Sequence, residues 1–178
     1  MGFVQRHIHK GLGPKLIMVP AAIGVPVHEL SHYLMAKLMG HKVTQVKLFM
    51  PMKDGTLGFV EHAYRRSWWS PFANLMIGMA PLIGGLAAFS ALTHLFVPDV
   101  WIVLTERLQS VATVADALRA SKDMLDYMSK LDWNMVSGAW AFMSLSILGF
   151  MLPSRADFDG AMAGIIFASV GAVAAIYL

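Results

Sequence analysis

Hydrophobic positions along the chain gather into four long runs, separated by polar stretches of two kinds. The runs cover about 14–39, 71–97, 135–152 and 155–178, lengths near the roughly 20 apolar residues that a helix needs to cross a bilayer. After the first run Gly40 supplies a helix stop. The period then shortens. Val43, Val46, Leu48 and Phe49 stand on one side of Lys53-Asp54-Gly55-Thr56, and Leu57, Phe59 and Val60 on the other, which predicts a β-hairpin over about 42–62 turning at Asp54-Gly55. The second polar stretch, about 99–132, repeats Val100, Val103, Leu104, Leu108, Val111, Ala115 and Leu118 at helical spacing, as an amphipathic surface helix or helix pair does. The pattern therefore predicts an all-α polytopic membrane protein forming a single domain over 1–178. It has about four transmembrane helices, a short membrane-associated hairpin after the first, and an amphipathic surface segment between the second and third.

Composition agrees with a membrane location. Only 14% of residues are charged against 57% hydrophobic, and the mean hydropathy is +0.58, too few charges to cover an ordinary soluble globule. The net charge of +3 is spread between apolar runs, which suits lipid headgroups and excludes a nucleic-acid face. Arg65, Arg66, Trp68 and Trp69 combine basic and aromatic side chains just ahead of the second run, the chemistry of an interfacial anchor. Arg6, Lys10 and Lys15 make a basic start, read as cytosolic or interfacial rather than as a signal peptide, because no small-residue cleavage site follows. Lysine and arginine are shared almost evenly between the two sides of such a topology, so charge alone does not orient it.

The candidate chemistry lies inside the first run. His28-Glu29-Leu30-Ser31-His32 has the H-E-x-x-H pattern. Residues i and i+4 project from one helical face, so both imidazoles can reach one metal ion while Glu29 leans toward its open position. Ionisable groups amid membrane-length apolar sequence are costly and mark function. Cysteine is absent, so zinc would have to be held by histidine and carboxylate. Pro20 and Pro26 precede the motif and could bend the helix to admit water and substrate, or simply pack. A third ligand is sought in Leu152-Pro-Ser-Arg-Ala-Asp-Phe-Asp-Gly160, since zinc hydrolases take two histidines and one carboxylate and leave a fourth position to water. Asp157 shares a helical face with Gly160, Ala161 and Gly164, and stands in capping register with Ser154; Asp159 lies on the bulkier side. With four spans both motifs reach the membrane from the same side. His41, His62, Asn74 and His94 are read as polar surface or helix-packing residues, although His41, His62 and Asn74 could approach the site.

Together these motifs resemble the site-2 protease family of intramembrane zinc metalloproteases. His28-Glu29-Leu-Ser-His32 matches the family's pattern outright; Pro153 through Phe158-Asp159-Gly160 matches its distal Leu-Asp-Gly segment approximately, and 41–64 is the counterpart of its membrane-associated strands. The family's Asn-Pro-rich approach to the aspartate is replaced here by Leu152-Pro-Ser154. Local similarity favours Asp159 as the third ligand and the helical face favours Asp157; the expected set is His28, His32 and Asp157, with Asp159 as the alternative. The resemblance implies a Zn2+-dependent endopeptidase of membrane-anchored proteins, with Glu29 as the catalytic base, in a cell (inner) membrane with the site nearer the cytosol. Its partners would be a membrane-protein substrate and the lipid bilayer, with no nucleic acid. Two other readings keep the same residues: a membrane metal-dependent hydrolase of a lipid or small amide, and a non-catalytic metal-binding membrane scaffold.

Overall fold

A computed structural model describes residues 14–176; the basic start at Arg6 and Lys10 and the last two residues of the fourth run lie outside the described residues. The fold is mainly helical with one small antiparallel sheet. Helix α1 (Pro14–Leu38) runs unbroken through Pro20 and Pro26. It ends where the sequence places a stop. Gly40 takes φ +76°, and His41 N–H donates to Ala36 O at 2.8 Å while Gly40 N–H donates to Lys37 O at 3.1 Å, the paired bonds of a Schellman motif. Strands β1 (Lys42–Lys47) and β2 (Phe59–Ala63) follow, with Val46 opposite Val60. Their ladder extends into the turn through Met50 N–H to Leu57 O at 2.6 Å and Met52 N–H to Thr56 O at 2.8 Å. At its tip Gly55 has φ +88°, and Asp54 Oδ1 accepts from Thr56 N–H at 2.9 Å. That exposed bond holds the Asp54 carboxyl below its ordinary pKa.

Helix α2 (Ser70–Phe96) is central, packing against α1, α5 (Met135–Phe150) and α6 (Arg155–Ile176). The polar segment between α2 and α5 forms two helices, α3 (Pro98–Gln109) and α4 (Val114–Ser129). Pro98 opens α3 and a Thr113/Asp116 capping box opens α4, so of the two expected forms, one helix or a pair, the segment takes the pair. Arg107 and Asp123 join the pair at 3.2 Å.

Small residues set the helix spacing. A Cβ on Gly78 would stand 2.6 Å from Asp157 O and 2.9 Å from Ala161 Cβ, so α2 and α6 meet backbone to backbone at the level of the aspartate. Few large apolar side chains are buried, while Leu16, Val19, Leu34, Ile83, Leu86 and Leu145 face outward, the distribution expected where the surroundings are themselves apolar. Helix α2, with a mean hydropathy of 1.9 in its most apolar stretch, is long and apolar enough to cross a membrane. Helix α5 with the first part of α6 makes a second such span if the 49° bend between them lies within one crossing. Among the described residues this is fewer than the four spans expected. The motif histidines, Glu29 and Lys37 dilute α1, and α6 starts with Arg155, Asp157 and Asp159.

Replacing Gly40 by Ala puts a Cβ into the left-handed region, at a cost of about 1–2 kcal/mol. Thermal unfolding followed by circular dichroism should show a lower Tm; an unchanged Tm would mean the Schellman stop contributes nothing to stability.

Candidate metal centre and active site

His28 and His32 lie one turn apart on α1, and their outer nitrogens are both fixed by main-chain carbonyls. His28 Nδ1 is 2.7 Å from Phe150 O and His32 Nδ1 is 2.9 Å from Ile77 O. A carbonyl only accepts, so each Nδ1 carries the proton and donates it. Both carbonyls are free for local reasons. Ile77 O would ordinarily accept from the N–H of residue 81, but that residue is Pro81 and has none. Phe150 is the last residue of α5, where carbonyls lack helical partners; Ser154 N–H, one turn on, donates to Asp157 Oδ2 at 2.6 Å instead.

With Nδ1 the donor to a carbonyl, each ring in its neutral form offers an unprotonated Nε2 to the space between them. The two Nε2 atoms are 3.2 Å apart. Asp157 closes the group, with Oδ1 3.0 Å from His32 Nε2 and Oδ2 3.6 Å from His28 Nε2. Three electron-pair donors thus face one another across no more than 4.8 Å. A proton could bridge two of them; one cation satisfies all three. The His28, His32 and Asp157 group can therefore hold a divalent metal ion, in a donor set of two nitrogens and one oxygen. Asp157 also caps α6, accepting from Ser154 N–H through its side chain while its own N–H donates to Ser154 Oγ at 3.3 Å. The cap fixes the carboxylate's direction. Asp159, two residues on, is exposed and outside this group.

Glu29 is buried beside the first histidine and lines the same cleft. The cleft has a volume of about 390 Å³ and is lined by α1, α2, the end of α5, the start of α6, and by hairpin residues 54–60 and His62. Gly58 presses on Glu29: a Cβ there would stand 2.9 Å from Glu29 Cγ and 2.8 Å from Lys47 O. Asn74 and His62 also line the cleft. Asn74 Nδ2 donates to Tyr64 Oη at 2.8 Å, Tyr64 stacks on His41 at 4.5 Å, and His41 and His62 share a hydrogen bond between Nδ1 atoms 3.0 Å apart. These two histidines are thus a linked pair, with His41 buried. His94 packs edge-on against Trp101 and is no part of the cleft. The functional elements that the sequence reading did not identify are the two carbonyls, Pro81 and Gly58. Only Pro81 carried a signal: a proline inside an apolar helix always frees the carbonyl four residues earlier.

Comparison of the chain with protein-family models, curated proteins and solved structures finds no match.

Two outcomes follow for metal content, measured on purified protein by elemental analysis and competition with a chelator. Asp157→Asn should lose stoichiometric metal while Asp159→Asn keeps it; equal retention by both would remove α6 from the site. Pro81→Ala supplies an N–H that competes for Ile77 O, and losing such an outer partner typically weakens metal affinity about 10- to 100-fold. Unchanged affinity would show that His32 does not depend on the freed carbonyl.

Proposed function

We propose that this chain is a zinc-dependent intramembrane endopeptidase resembling the site-2 protease family. The observation that carries the reading is the convergence of His28, His32 and Asp157, from opposite ends of the chain, with Glu29 buried against the same cleft. A metal-binding scaffold needs no carboxylate base beside its ligands, so Glu29 favours catalysis. The apolar outward faces and the span-length helix α2 support placing α1, α2, α5 and α6 across a bilayer, with α3 and α4 at its surface. By the resemblance, the site would lie nearer the cytosolic side of a cell membrane.

His28, His32 and Asp157 would hold the zinc ion, which when bound polarises a scissile carbonyl and makes a water acidic enough to ionise near neutral pH. Glu29 takes the proton of the attacking water as its oxygen bonds to the carbonyl carbon, then returns that proton to the amine nitrogen as the C–N bond breaks. Ile77 O and Phe150 O keep both imidazoles presenting Nε2. Gly58 and the hairpin main chain hold the Glu29 stem in place. A substrate helix must unwind to enter, because its carbonyls are otherwise bonded internally. Phe59, Val60 and His62 of β2 line the cleft, so an extended, membrane-anchored substrate can add to that strand.

Glu29→Gln should retain stoichiometric zinc and lose hydrolysis of single-span membrane proteins by about 10²–10⁴-fold, the usual contribution of a positioned base. Reconstituted, zinc-loaded Glu29→Gln with wild-type turnover would end this mechanism.

A further inference from the structure

Among the polar groups of the cleft that the proposed peptide-bond chemistry leaves unused is an imidazole. His62, on β2, lines the same cleft as the metal ligands. Its Nδ1 is occupied by His41, and among the described residues no hydrogen bond occupies its Nε2. The ring is held from behind by a chain of contacts. His41 follows the Gly40 stop, where its own N–H is bonded to Ala36 O. Tyr64 stacks flat on His41, with 11° between the ring planes, and Asn74 anchors Tyr64 to α2. Three side chains, from the turn after α1, the extension of β2 and α2, thus stand in line behind one imidazole. Burial, then the neighbouring His41 and His32, hold His62 below its ordinary pKa, and burial does the same for His41. Both shifts favour the neutral rings, and a hydrogen bond between two Nδ1 atoms requires one of them to be the donor.

We propose that His62 is a further catalytic residue of the site: His41 Nδ1–H donates to His62 Nδ1, which leaves His62 Nε2–H to donate to the scissile carbonyl oxygen as it gains negative charge. His62 lines the same cleft as His28, Glu29, His32 and Asp157, so a carbonyl held there comes within reach of both its donor and the base Glu29. A pre-oriented neutral donor in a cleft is worth more than one in water, because it needs no reorganisation as charge develops. This inference rests on the peptidase reading and adds a residue to it.

The test uses the full chain, zinc-loaded, in lipid nanodiscs, with N-phosphoryl-Leu-Trp as the probe, its tetrahedral phosphoryl oxygens imitating the charged carbonyl oxygen. His62→Phe keeps the ring's bulk without a donor, and His62→Gln restores an N–H donor at the same reach. Zinc content should stay stoichiometric in both. Probe affinity in His62→Phe should fall about 10²–10³-fold, the usual effect of removing one such donor, and His62→Gln should recover most of the loss. A purely structural role for the pair would leave affinity independent of the donor, so His62→Phe and His62→Gln binding alike overturns the proposal. Loss of zinc in His62→Phe also overturns it, since His62 would then be supporting the metal site. If zinc-loaded wild-type protein does not bind the probe, the peptidase reading falls and takes this inference with it; if wild type binds and His62→Phe binds equally, only the role of His62 falls.

Discussion

Two main-chain carbonyls set which nitrogens His28 and His32 can offer to a metal ion. An imidazole is ambiguous, since either nitrogen can carry its proton, and a pair of histidines one helical turn apart is as suited to hydrogen-bonding each other as to binding a metal. Ile77 O and Phe150 O remove the ambiguity by claiming both Nδ1 protons. The remaining Nε2 atoms face the Asp157 carboxylate, a set of donors that one cation can satisfy together. The metal site follows from where two helices fail to satisfy their own backbones.

Those failures come from ordinary sequence features. Pro81 lacks the N–H that would have closed the turn over Ile77, and α5 stops at Phe150 because Leu152-Pro153-Ser154 cannot continue it. The capping bond from Ser154 N–H to Asp157 serves three ends at once: it starts α6, leaves Phe150 O for His28, and aims a carboxylate at both histidines. Gly78 lets α6 approach α2 closely enough for that carboxylate to arrive. The hairpin completes the cleft because the Gly40 stop turns the chain sharply back beside α1. Its Gly58 then sits on the stem of Glu29 without a side chain to push it away.

Much of this was legible in the sequence where periodicity and spacing carry it. The four long helices lie within two residues of their expected starts, and the hairpin turns at Asp54-Gly55 as its residues require. The i, i+4 histidines were readable from helical geometry alone. Asp157 was separable from Asp159 only by helical face, and it is Asp157 that stands beside the histidines, whereas the local Phe-Asp-Gly similarity pointed to Asp159. What stayed hidden involves contacts that no local pattern encodes. The carbonyls of residues 77 and 150 are chemically identical to every other carbonyl until the fold sets them beside His32 and His28. His41 and His62 flank the hairpin as separate polar residues, and become a pair only through the antiparallel register and the Schellman turn. Fewer helices than the four expected are apolar enough to span, because the same polar residues that build the site lower the hydropathy of α1 and α6.

The most direct measurement is zinc K-edge X-ray absorption on the zinc-loaded protein in membranes. The expected spectrum has a four-coordinate shell at about 2.0–2.2 Å, with outer scattering from two imidazole rings and the rest oxygen. A first shell without imidazole scattering, or a six-oxygen shell, would contradict a centre built from His28, His32 and Asp157.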